Sequence, residues 1–150
     1  MDIEQAFAIS ASGLDAQRAR LNIVSSNLAN VESTETPEGG PYRRKDLVFS
    51  AAPIGGSFAE TLQSTLGASS TGEDLPGVET TRIVEDERPF KRVYQPQHPG
   101  ADQDGYVLYP NINPMEEMVN MITALRSYEA NVTALNATKS MAMKALEIGR

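Results

Sequence analysis

Cysteine is absent from all 150 residues. The chain can therefore form neither a disulfide nor a thiolate metal site, and its compartment cannot be read from redox chemistry. Tryptophan is absent too and aromatics make up only 6%, so any core is thin and built mainly from Ala, Leu, Ile, Val and Met. No apolar run approaches the ~18 residues of a membrane span. The start, Met1-Asp2-Ile3-Glu4, lacks the basic region of a secretory signal peptide. These absences lead to the expectation of a protein that stays in the cytosol or leaves by a route needing no cleaved signal. Basic residues are in deficit, 13 against 20 acidic ones for a net charge of -7, which argues against nucleic acid as a partner because phosphate binding depends on Lys and Arg.

What is present divides into three textures on a chain the size of one domain. From Asp2 to about Val31 one register runs through Ile3, Phe7, Ser10, Leu14, Gln17, Leu21, Val24, Leu28 and Val31, with spacings alternating between four and three. This predicts a helix with a narrow seam. Gly13 weakens its interior by roughly 1 kcal/mol, and Ser10 and Gln17 leave polar gaps, so the helix is marginal in isolation. Thr36-Pro37 and Gly39-Gly40-Pro41 end it. At the other end, Asn113-Pro114 with Glu116 forms a helix start resembling a capping box. Met118, Met121, Leu125, Tyr128, Val132, Leu135, Ala142 and Leu146 then follow one register, interrupted by Lys139, up to Gly149.

Between the helices, Tyr42 to Phe49, Gly77 to Val84, Phe90 to Tyr94 and Tyr106 to Tyr109 are short β-branched and aromatic segments separated by Pro, Gly and Asp. They predict three or four short strands, with a flexible loop or insert at about 50–76. The expected fold is α+β, with long N- and C-terminal helices forming a coiled-coil-like pair around a small β-rich middle domain. The expected division is 1–36 helical, 37–112 β-rich and 113–150 helical. A stripe this narrow cannot cover a globular core, but it can pair with another helix, either the chain's other end or a neighbouring copy.

Chemistry is sparse. His98 is the single histidine; it lies beside Pro99 without ligand spacing and reads as an exposed loop residue. Asp102-Gln103-Asp104-Gly105 starts like a calcium loop, yet Tyr106 holds its fifth position and no Glu its twelfth, so a tight turn between strands is the better reading. Glu116 and Glu117 suit the start of a helix, and Glu129 a pairing with Arg126 or another subunit. Arg43-Arg44-Lys45, the one basic run, reads as a strand edge or a patch for an acidic neighbour. The Met115, Met118 and Met121 stripe reads as an adaptable packing surface. No catalytic residue, metal site or cofactor is expected, and no small-molecule substrate.

Ser12-Gly13-Leu14-Asp15-Ala16-Gln17, then Ser25-Ser26-Asn27-Leu28-Ala29-Asn30-Val31, and at the far end Arg126-Ser127-Tyr128-Glu129-Ala130-Asn131 resemble the terminal motifs of the flagellar axial family of rod, hook and filament-junction proteins. Gly40 to Asp46, His98 to Asp102, Gly105-Tyr106-Val107 and Pro110 to Asn113 are similar to a proximal rod branch of that family. The resemblance implies a non-enzymatic subunit of the periplasm-spanning rod, exported unfolded without a cleaved signal and self-assembling in a helical array. It would transmit torque and line the export channel. Its implied partners are other rod proteins, the rod-to-export-apparatus junction protein and, during secretion, the export apparatus. The assembly residues so expected are Leu14, Leu21, Asn27, Leu28, Asn30, Leu125, Tyr128, Asn131, Val132 and Leu135, with the asparagine amides bridging neighbouring backbones. A reading from another class is a soluble helical adaptor or chaperone of the export system.

Overall fold

The computed structural model describes residues 3–53 and 76–148. Its elements run α1 (Ile3–Ala29), β1 (Lys45–Pro53), β2 (Pro76–Glu85), β3 (Lys91–Tyr94), β4 (Tyr106–Tyr109) and α2 (Pro114–Ile148). Strands β1 and β2 form one two-stranded sheet, β3 and β4 another. Two long terminal helices with a small strand middle make the α+β arrangement expected. The expected loop at 50–76 falls mostly outside the described residues, but its edges are strand: residues 50–53 close β1 and Pro76 opens β2. Ser50 has weak strand preference alone; pairing holds it, with its hydroxyl 2.6 Å from that of Thr81.

Local chemistry sets the helix ends. Beyond Ala29 the pattern tightens, as Val31 and Ser33 donate back to the carbonyls of Leu28 and Asn30, and Gly39 and Gly40 then adopt positive φ to turn the chain. This loop returns Tyr42, whose N–H donates to the Ser33 carbonyl at 3.1 Å. At the start of α2, the Asn113 side chain accepts the Met115 N–H at 3.1 Å, the cap legible in Asn-Pro.

The second sheet is antiparallel, with Val93 opposite Val107 and Tyr94 opposite Tyr106. Val107 is buried, and the turn before it closes when Gly105 donates to the Asp102 carbonyl at 2.8 Å. Gly105 has φ of 76°, and a Cβ there would meet Tyr94 Cε2 at 2.9 Å. Gly105→Ala is therefore expected to destabilise by ~1–3 kcal/mol from backbone strain alone, read as a lowered denaturant midpoint.

The chain forms two compact units. Among the described residues, the first holds 3–17, 49–53, 76–81 and 127–148. Here the N–H of Val78 donates to Ser12 Oγ at 3.1 Å, and a Cβ on Gly13 would stand 3.0 Å from Asn131 Nδ2. Gly13 thus weakens the isolated helix but lets α2 approach closely. Gln17 Oε1 is buried with no hydrogen-bond donor among the described residues. The second unit holds residues 18–48 and 82–126, including β3, β4 and most buried side chains.

Candidate assembly interface

The deepest burial in the second unit is polar. Asn27, on the last turn of α1, is 0% exposed and Glu117, on the first turn of α2, is 1% exposed. Asn27 Nδ2 donates to the Lys45 carbonyl at 2.7 Å and to Glu117 Oε2 at 3.0 Å. Its Oδ1 accepts from the Lys45 N–H at 2.9 Å and the Tyr42 hydroxyl at 3.2 Å. Arg44 Nε meets Glu117 Oε1 at 2.8 Å and Nη1 meets Asp46 at 3.2 Å. Every polar atom of Asn27 and both oxygens of Glu117 are satisfied, which is what burial demands of such groups. Burial alone would lower the pKa of Arg44, but the carboxylates of Glu117 and Asp46 outweigh it and raise it.

This arrangement bears on several expectations. Within the chain Asn27 bonds to the backbone of Lys45 and to Glu117, and Asn30 Nδ2 donates to the Ser26 carbonyl at 2.8 Å. Strand β1 starts at Lys45, not Tyr42, because Tyr42 and Arg44 turn into this cluster. Within the chain Arg44 and Lys45 of the basic run meet Glu117 and, at 3.8 Å, Glu85, while the guanidinium of Arg43 donates to the Asp86 backbone carbonyl and stacks on Phe90. His98 is half-buried, not open, its Nδ1 accepting the Gly100 N–H at 3.1 Å.

A satellite pair closes the turn between β2 and β3. The guanidinium and then the backbone N–H of Arg88 hold the Asp86 carboxyl below the usual carboxylate range. A depressed pKa stabilises the fold above the ordinary value of 3.8 and is lost as pH falls through the folded one. Thermal melts of Asp86→Asn should therefore converge on wild type at strongly acid pH and lie below it, by a few degrees at most, near neutrality.

The apolar positions sort into two faces. On α2, Met121, Tyr128, Asn131, Val132, Leu135 and Ala142 are half-buried and Ala124 fully so. Met115, Met118, Val119, Ile122 and Leu125 form a second stripe at helical spacing, 40% to 66% exposed. Leu125 and Met118, expected on a seam that could face either the chain's other end or a neighbouring copy, belong to this outward ridge. On α1 the buried positions are Ala16, Val24 and Asn27, whereas Leu14, Leu21 and Leu28 are half-buried one face over. Small residues line the inside, and they carry too little hydrophobic signal to be found by a search for apolar periodicity.

Comparison with known proteins places this geometry. The model for flagella basal body rod proteins matches residues 7–35, and that for the C-terminal part of flagellar basal body rod FlgEFG proteins matches residues 103–148. Both helical ends thus have the stamp of the flagellar rod class. Over 146 residues the chain is 49% identical to the flagellar basal-body rod protein FlgC of Bacillus subtilis, covering 95% of each. It is 42% identical to that of Salmonella typhimurium over 96% of each, and 44% identical to that of Aquifex aeolicus over 98% of this chain and 97% of the relative. The chain belongs to the FlgC family of flagellar basal-body rod proteins. It is a structural rod subunit, of a family that is not one of enzymes.

Proposed function

We propose that this subunit sits in the proximal rod and packs against neighbouring copies and other rod proteins through the outward ridge of α2, with Leu14, Leu21 and Leu28 of α1 as a second apolar strip. The observation that carries the reading is the ridge itself, Met115 to Leu125, whose large side chains stay exposed although the inward face of the same helix is already used. A contiguous exposed apolar stripe on a folded chain marks a surface that another protein covers. Many such helix contacts, individually weak, add up to the stiffness needed to transmit torque and to wall an export channel. The family's place in the basal body supports a periplasm-spanning location, reached through the flagellar export apparatus without a cleaved signal, and contact with the rod-to-export-apparatus junction. Tyr128, Asn131, Val132 and Leu135, half-buried on the distal part of α2, would contribute through the portions they leave exposed.

The test is a photo-crosslinking residue placed at Ile122 in assembling cells. Capture of rod subunits and the junction protein is expected. Capture of soluble, non-flagellar proteins alone would overturn the reading.

A further inference from the structure

We propose that Asn27, Arg44 and Glu117 act as a register latch, positioning residues that fix the axial height of α2 against α1 within the second unit. The apolar part of that contact cannot do this alone. The fully buried apolar side chains that these two helices contribute in this unit are Val24 and Ala124, and small side chains offer shallow knobs and holes. A slip of one helical turn, about 5.4 Å, would exchange one small contact for another at little loss. The polar cluster has no such tolerance. Its hydrogen bonds span 2.7–3.2 Å, so a one-turn slip breaks the link to Glu117 and leaves its carboxylate buried away from Arg44.

The connectivity is that of a latch. Asn27 clamps both the N–H and the carbonyl of Lys45, tying α1 to the segment entering β1. Arg44, from that segment, grips Glu117 on α2, and Glu117 returns to Asn27. Three segments distant in sequence are locked in one setting, the best-attested use of buried polar groups.

The consequence for assembly rests on the ridge reading above. Met115 and Met118 flank Glu117 on the same turn, so the register sets the height at which the ridge meets a neighbour. The latch itself is tested without any assembly. The chain has no cysteine, so nitroxides attached at Arg18→Cys and Glu116→Cys, exposed positions on α1 and α2 of the second unit, report one interhelical distance by electron–electron resonance on the isolated subunit. Wild type should give one narrow distance. The fully apolar Asn27→Leu/Arg44→Met/Glu117→Met variant should keep its helical circular dichroism but show a second, resolved population whose distance differs by up to about 5.4 Å. A single wild-type distance in that folded variant overturns the latch. So does failure of the variant to fold, because the cluster would then supply stability and not register. Ridge failure reads separately, in the crosslinking.

Discussion

Arg44→Ala is expected to lower the stability of the second unit by ~3–5 kcal/mol, because it strands the carboxylate of Glu117, 1% exposed, without its cation. Surface substitutions elsewhere should fall within about 0.5 kcal/mol. The size of the effect comes from what is left behind. A side-chain amide from Asn27 remains on one oxygen, while the oxygen that met Arg44 Nε at 2.8 Å loses its donor. Adding Glu117→Gln to Arg44→Ala should recover part of the loss by removing the stranded charge. Denaturant titration followed by tyrosine fluorescence reads mainly this unit in a chain without tryptophan, since Tyr42, Tyr94, Tyr106 and Tyr109 lie in it and Tyr128 alone lies in the other. A double variant no more stable than Arg44→Ala would show that the unpaired charge is not the cause.

The second large effect lies in assembly and not in folding. Ile122→Asp and Leu125→Asp each place a charge on side chains 54% and 47% exposed, so the isolated subunit should keep its melting temperature to within a few degrees. Incorporation into rods should be lost, since a carboxylate facing a neighbour's apolar surface is buried without a partner. Ala124→Asp, one residue away but fully buried, should instead prevent the second unit from folding. Fractionating rods from cells carrying each variant, beside melts of the purified chains, separates the two outcomes. Wild-type incorporation of both ridge variants would sink the interface.

How far the sequence speaks depends on the range of each interaction. The start of α2 is legible because Asn113 and Pro114 act within one turn, and the strands β3 and β4 because aromatic and β-branched residues gather there between Pro, Gly and Asp. The apolar register of α2 was legible as a register but not as a direction. Met118 and Leu125 share a spacing with Met121 and Tyr128, and spacing alone does not say which of two neighbouring faces turns inward. The inward face is marked instead by Gly13, Ala16 and Ala124, whose value is close approach and not hydrophobicity. Glu117 illustrates the longest reach. In its first-turn position it reads as a favourable acid at a helix start, and its true partner, Arg44, lies 73 residues earlier. Only folding brings the two together.

The ridge has a chemical liability that a ridge of leucines would lack. Met115 and Met118 present thioethers to solvent in the free subunit, as do Met141 and Met143 farther along the helix. Oxidation to the sulfoxide turns a soft apolar side chain into a polar one. A subunit oxidised before it is seated would lose the complementarity proposed to seat it, whereas a seated one would have these sulfurs covered. On the packing surface proposed for assembly, sulfoxide content would thereby record how long a subunit has waited unseated under oxidising conditions.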